Sequence, residues 1–296
     1  MSAAASPATG TALYGVTGWP LAQSLSPLLH NTGFAALGID ALYLKWEVPP
    51  DRLPAFVESV RLLNIRGCSV TIPHKVGLLP LLDEVSPLAR RVGAANTIYW
   101  QGDRLCGENT DVVGFMAPLA GVQLAGADVL LLGAGGAARA VAAGLTAPSL
   151  EGRPAHVFVA TPSDKSHLPL ADEFGLAPLL WKNRHEPHAL LVINTTPLGM
   201  RGKAEDDTPY DFSLAAQLAP QSDANATPLA YDIVYNPLET RFLREARATG
   251  RRCISGLEMF LVRGMRSFTC GPGRGCLPNH GGPLRRLLGS NPDNPT

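Results

Sequence analysis

The chain has 296 residues, 46% of them hydrophobic and 17% charged, with 25 basic and 25 acidic side chains. That is enough apolar material for one large or two ordinary domain cores. A formal net charge of zero offers no long-range field to a nucleic acid or an anionic membrane, so any bound anion must be caught by a few placed donors.

The opening stretch MSAAASPATG is small and polar, without a basic start or an apolar middle, and reads as a disordered tip and not a secretion signal. No apolar run approaches the roughly 20 residues that span a bilayer. The five cysteines (Cys68, Cys106, Cys253, Cys270 and Cys276) are odd in number and lack paired spacing. They indicate neither a zinc site nor a disulfide framework, and a reduced cytoplasm fits them best.

Predicted strands lie near residues 12–16, 41–48, 67–71, 95–100, 105–108, 128–132, 156–160, 190–194, 230–234 and 252–255. Helices fall between most of them, among them 27–37, 52–63, 136–146, 239–248 and 257–268. Such alternation argues for mostly parallel sheets covered by helices. Residues 98–106 differ: QGDR between two strand-like runs reads as a hairpin. Domain boundaries are expected near 111–125 and near 255. The tail from Cys270 onward is dense in Gly and Pro, and only PLRRLLG within it has the pattern of a helical turn or two.

The first helix starts in SLSPLLHN. Ser26 is a good N-cap, with Pro27 at the first helical position, and Gly38 ends the helix. Ser24 brings a second hydroxyl to a helix N-terminus that suits a carboxylate. Taken alone, a plain cap is the simpler reading.

The stretch GCSVTIPHKVG sets Lys75 just past a strand. A lone lysine there is usually solvated. Two other strand ends change its meaning: GAANTIYW offers the neutral amide of Asn96, and GENTDVVGF offers Asp111, whose simpler role is to cap the helix after it. If these ends converge, the three side chains surround a polyhydroxylated ligand, and a Lys–Asp pair about 3 Å apart would relay a proton to or from a hydroxyl.

ADVLLLGAGGAARAVAAGL carries the most specific local motif. Gly133, Gly135 and Ala138 fit the G-x-G-x-x-G/A turn between an apolar strand and an Ala-rich helix. Gly133 permits the turn, Gly135 lets the backbone approach a pyrophosphate, and Ala138 lets helix and strand pack closely. After the next strand comes TPSDKS, where Lys165 suits a 2′-phosphate and Asp164 a ribose hydroxyl. The residues leave NADP and NAD open at this point.

The runs SLSPLLHN, SVTIPHK, GAANT, GENTDVVGF, VLLLGAGGAARAV, INTTPLGM, YDIVYNPLET and GLEMFLV, in this order, resemble the shikimate dehydrogenases from about residue 12 to about 269. The resemblance implies a two-domain α/β enzyme: an α/β substrate domain with a mostly parallel sheet, a Rossmann-like dinucleotide-binding domain, and an active-site cleft between them. The substrate domain would be discontinuous, residues 1–111 plus 256–296, around a nucleotide domain of 112–255. The implied reaction is reversible reduction of 3-dehydroshikimate to shikimate with NADP(H), by a monomer or a homodimer, without a metal.

Residue by residue, the resemblance implies that Ser24 and Ser26 hold the substrate carboxylate. Thr71, Asn96 and Asp111 would bind ring hydroxyls, and Tyr235 would lie near them. Lys75 would be the catalytic acid/base, paired with Asp111. Gly133, Ala134, Gly135, Gly136 and Ala137 would cradle the pyrophosphate, and Ile233 and Gly256 would approach the nicotinamide.

Three departures from the family pattern bear on function. Ala160, Thr161 and Pro162 stand where Asn-Arg-Thr is usual, so the arginine expected at Thr161 is missing and Lys165 is left as the basic group. Arg263 stands where a substrate-binding glutamine is expected. The tail after Thr269 resembles nothing in the family. Ser69 is a smaller change, standing where asparagine is common. These departures leave two rival readings: a quinate/shikimate dehydrogenase using NAD or both cofactors, and a catalytically weak ligand-binding relative.

Overall fold

The computed structural model describes residues 10–269 except Gln23, Lys203 and 219–226. The expectations for the N-terminal tip and for the tail from Cys270 onward lie outside the described residues. The chain divides into two compact units, Met1–Thr110 with Arg263–Thr296, and Asp111–Val262.

The first unit runs β1 (Ala12–Gly18), α1 (Ser26–Leu37), β2 (Ala41–Glu47), α2 (Leu53–Leu62), β3 (Gly67–Val70), α3 (His74–Gly77), β4 (Glu84–Val85), α4 (Pro87–Val92), β5 (Thr97–Gln101) and β6 (Arg104–Glu108). Its sheet has the order β2-β1-β3-β5-β6-β4. β1 pairs in parallel with β2 and β3, while β5 is antiparallel to both β3 and β6. β5 and β6 form the hairpin expected from QGDR, with Gln101 opposite Arg104 and Gly102 at φ 65° supplying the turn. On one face of the sheet α2 buries Leu53, Phe56, Val57 and Val60 against Cys68, Val70 and Ile98. On the other, Phe34 of α1 packs with Val16 and Tyr43. Side chains alternate along a strand, so Tyr43 and Ser69 share the α1 face with Val16, their partner in register being Tyr14 for the one and Val16 for the other.

The second unit runs α5 (Asp111–Met116), β7 (Asp128–Leu132), α6 (Gly136–Leu145), β8 (His156–Ala160), α7 (Leu168–Phe174), β9 (Ala177–Pro178), β10 (Leu191–Asn194), α8 (Phe212–Leu218), β11 (Leu229–Asp232), α9 (Arg241–Ala248) and β12 (Arg252–Ile254). α10 (Gly256–Thr269) carries the chain across the second boundary. The sheet is wholly parallel, in the order β12-β11-β10-β7-β8-β9. Reversal of direction about β7 makes a doubly wound arrangement. β7 and β10 are buried on both faces, which is why they read as continuous apolar runs. Val129 and Leu131 pack under α6 and Phe115, while Leu130 and Leu132 pack with Phe212 and Phe242 on the opposite face.

Among the described residues, no helix is long and apolar enough to cross a membrane. Cys68, Cys106 and Cys253 are free thiols.

Candidate functional site

The turn after β7 is made by backbone. Gly133 takes φ 115°, and a Cβ there would lie 2.5 Å from Thr195 Oγ1, so only glycine fits. Gly135 is different. Its φ is ordinary, and a Cβ would meet no protein atom within 4 Å, only the open space in front of the turn. No side chain caps α6, so its first amides stay available to an anion. Ala134, Gly136 and Ala137 are partly exposed around that turn, while Ala138 is fully buried against β7. An uncapped helix start behind a bare, open glycine fits a dinucleotide pyrophosphate.

The exit of β8 is built from hydroxyls. The buried Thr161 Oγ1 lies 2.9 Å from His167 Nδ1, and Ser166 Oγ donates to Thr161 Oγ1 at 3.0 Å. Ser163 Oγ accepts from the Ser166 and Lys165 N–H groups at 3.0 and 3.3 Å. The Asp164 carboxylate turns away to accept the Trp181 N–H at 2.6 Å. Lys165 is exposed. Burial keeps the pKa of His167 low, which suits an imidazole bonded to a neutral hydroxyl.

The exits of β10 and β11 are tied to each other. The Ile233 N–H donates to Asn194 O at 3.1 Å. Asn194 Nδ2 donates to Asp232 Oδ1 at 3.0 Å, and Thr240 Oγ1, at the N-cap of α9, donates to Asp232 Oδ2 at 2.5 Å. Gly256 packs on this segment: a Cβ there would sit 2.3 Å from Ile233 O. Tyr235 stacks on Phe260 with ring centroids 4.6 Å apart. Asp111 opens α5 and is fully buried.

In the first unit, Lys75 lies in α3 and is only 7% exposed, so it is not a solvated surface charge. Main-chain bonds set its neighbours. The Ala95 N–H donates to Lys75 O at 2.9 Å, and the Val70 N–H to Asn96 O at 2.8 Å. Thr71 follows directly, its N–H donating to Thr17 O at 2.9 Å. Thr71, Lys75 and Asn96 are thereby brought together. The Asn96 amide is oriented by a residue the sequence did not point to: its Oδ1 accepts the Thr110 N–H at 2.8 Å, and its Nδ2 donates to Thr110 Oγ1 at 3.1 Å.

Ser24 and Ser26 reach the same neighbourhood through small contacts. The Ser24 N–H donates to Leu21 O at 3.0 Å, and a Cβ on Gly18 would lie 2.4 Å from Thr71 Cγ2 and 2.9 Å from Leu21 Cδ2. The expected capping role of Ser26 is corrected here. Ser26 is itself the first residue of α1, and its side chain does not cap the helix. The Ser26 N–H instead donates to Ser24 Oγ at 3.4 Å, because the chain enters its helical turn one residue early. Gly38 ends α1 at φ 62° as expected. The buried His30 lies one turn beyond Ser26 and stacks on Tyr43 at 4.1 Å. Burial, helped by the Arg263 guanidinium, pushes its pKa down to about 3. Arg263 is half-buried in α10.

Thr110, Asn194, Asp232, Thr240 and His167 are the buried residues behind these strand exits that sequence reading missed. Asn194, Asp232 and Thr240 stand in NTTP and YDIVYNPLET and Thr110 in GENTDVVGF, but the Asn96–Thr110 and Asn194–Asp232 bonds span 14 and 38 residues and leave no local spacing to read.

A family model described as the shikimate dehydrogenase substrate binding domain matches residues 16–98. The shikimate dehydrogenase (NADP(+)) of Pelobacter propionicus is 50% identical over 271 residues, covering 90% of this chain and 93% of that protein. Shikimate 5-dehydrogenase of Thermus thermophilus, in complex with NADP(H) and shikimate, superposes with a TM-score of 0.78 at 36% identity, over 94% of this chain and 99% of that one. Shikimate dehydrogenase of Aquifex aeolicus gives 0.81 at 30% identity, over 94% and 98%. Half of all positions identical along nine-tenths of the sequence leaves one assignment: the chain belongs to the shikimate dehydrogenase family.

Proposed function

We propose that this protein reversibly reduces 3-dehydroshikimate to shikimate with NADP(H), in the biosynthesis of aromatic amino acids. The observation that carries the proposal is Lys75, an amine buried at the exit of β3 in the unit that the substrate-domain family model matches. Met1–Thr110, with the chain from Arg263, is the substrate domain in this reading, and Asp111–Val262 binds the dinucleotide. The enzyme works in the cytoplasm.

When bound, the nicotinamide supplies or takes the hydride. Gly133 to Ala137 hold the pyrophosphate through main-chain amides, Thr161 and Lys165 face the adenosine end, and Ile233 and Gly256 face the nicotinamide. Ser24 and Ser26 hold the substrate carboxylate. Thr71 and the second Nδ2 hydrogen of Asn96 bind ring hydroxyls, and Tyr235 and Arg263 complete the substrate contacts. Lys75 gives a proton to the oxygen formed as the carbonyl is reduced, and takes it back in the oxidative direction. Asp111 is its carboxylate partner, accepting a ring hydroxyl as well. The protein's share is orientation and local electrostatics.

Initial rates with shikimate and with quinate, each against NADP and NAD, test this reading. Shikimate with NADP is expected to be the fastest pair. Faster turnover of quinate with NAD would favour the rival dehydrogenase, and no turnover of any pair would leave a ligand-binding relative.

A further inference from the structure

Asp232 ends β11 fully buried. Its surroundings are donors. Oδ1 accepts from Asn194 Nδ2 at 3.0 Å and from the Val234 N–H at 3.0 Å. Oδ2 faces Thr240 Oγ1 at 2.5 Å. Thr240 Oγ1 also accepts the Leu243 N–H at 3.3 Å, so its own hydrogen points to Asp232. Three donors fit the anion and not the neutral acid. A proton on Oδ2 would have to donate to Thr240 Oγ1, which would turn the threonine hydrogen away from the carboxylate and leave it to find another acceptor in a buried position.

The same contacts fix two loops. Asn194 also accepts the Thr196 N–H at 2.9 Å and its hydroxyl at 2.7 Å, so the turn after β10 hangs on the residue that Asp232 orients. The Val234 N–H bond sets the chain direction between Ile233 and Tyr235.

We propose that Asp232 is a positioning residue of the reaction: its ionised carboxylate holds the exits of β10 and β11 in the shape that presents Ile233 and Tyr235, and uptake of a proton slackens that shape. The proposal rests on the NADP(H)-dependent reading above. Burial pushes the Asp232 carboxyl up to about 7, against the pull of Thr240, Val234 and Asn194. The carboxylate is therefore poised where a modest change in pH alters its charge.

The neighbouring elements add little charge of their own. Asn194 at the end of β10 and Thr195 and Thr196 in the turn after it are neutral. On α9 and just before it, Arg241 pairs with Glu245, and Glu239 with Arg247. Tyr231 precedes Asp232 on β11, with its hydroxyl pushed upward by burial and by Glu258 of α10.

The test compares wild type with Asp232→Asn, Thr240→Val and Thr240→Ser. Two quantities are followed from pH 5.5 to 9: kcat/KM for shikimate with NADP, and NADPH affinity from nucleotide fluorescence. Wild type is expected to lose both as pH falls through about 7. Asp232→Asn should run about tenfold slower at high pH and lack that acid limb. Thr240→Val removes one donor to the anion and should move the limb to higher pH, while Thr240→Ser should restore its position; a merely structural threonine would not behave so. Superimposable pH profiles for wild type, Asp232→Asn and Thr240→Val would overturn the proposal. If Asp232→Asn does not fold, the two threonine variants decide. If wild type turns over no shikimate, the functional reading fails, and the pH dependence of NADPH binding still decides the role of Asp232.

Discussion

At the turn after β7 the working groups are main-chain amides, whereas around Lys75 they are side chains from several separate elements. The turn depends on two glycines for opposite reasons, one needing φ 115° and the other leaving space open. The lysine neighbourhood depends on pairings between residues far apart in the chain, such as Asn96 with Thr110. A backbone-built site is thus fragile at its glycines and tolerant elsewhere. A side-chain site is fragile at each member.

The largest effect is expected where the side-chain site carries chemistry. Lys75→Ala should lower kcat for shikimate oxidation by about 10²- to 10⁴-fold, the usual worth of a placed general acid/base. KM should change little. Unchanged turnover would remove Lys75 from the reaction and leave the buried amine a structural group.

The two glycines break the comparison from the other side. Gly133→Ala forces a Cβ to within 2.5 Å of Thr195 Oγ1 in a left-handed conformation, and should cost about 1–3 kcal/mol of stability by urea denaturation. Gly135→Ala meets no protein atom, so the stability should hold. Its KM for NADP should rise about tenfold, the effect of a misfit of about 1.4 kcal/mol. Equal melting behaviour of the two variants would mean that the turn does not separate folding from binding in this way.

That contrast also explains what was legible in the sequence. The turn, its strand and its helix are contiguous, so spacing alone located them, and the hairpin at Gly102 was equally local. The parallel sheets followed from alternation of apolar runs with helical patterns. The short strands β4 and β9, two residues each, carry too little pattern to be seen. The start of α1 was misplaced, because Ser24 and Ser26 are chemically alike and only the backbone path decides which hydroxyl meets a main-chain N–H. Asn96 is legible as a neutral amide at a strand end, but Thr110, which orients it, is not, since that pairing exists only after β5 and β6 fold together.

The first unit also holds a buried neutral histidine near its hydroxyls. His30 is held at about 3 in the fold, against an ordinary 6.5 in the unfolded chain. Above pH 6.5 neither state carries the proton and stability is complete. Below it the unfolded chain binds a proton that the fold refuses until about pH 3, so stability falls by about 1.4 kcal/mol per pH unit across that window. Asp232 has the opposite sign, since its raised value favours the fold at low pH, so the whole-protein curve mixes the two. The stability difference between wild type and His30→Gln isolates the histidine. That difference should move by about 2 kcal/mol between pH 7 and pH 5. A difference that does not vary with pH would place His30 in contact with water.

The smallest effect belongs to the exit of β8, which shares features of both kinds of site. Its hydroxyls are fixed by local turns, like the glycine turn, yet its only cation is a side chain. Thr161 stands where the family pattern expects an arginine, and its Oγ1 is already committed to His167 and Ser166. One oxygen of the Asp164 carboxylate is engaged by the Trp181 N–H, which holds that side chain against the following loop. Discrimination between NADP and NAD then falls to Lys165, and an exposed ion pair contributes about 0.2–1 kcal/mol. Lys165→Ala should therefore reduce the NADP-over-NAD ratio of kcat/KM by only about two- to fivefold. Wild type itself should prefer NADP modestly. A wild-type preference above about a hundredfold needs about 2.7 kcal/mol, more than one exposed amine supplies. A value that high would require further donors to the phosphate, and the hydroxyls of Ser163 and Ser166 would be the first to remove.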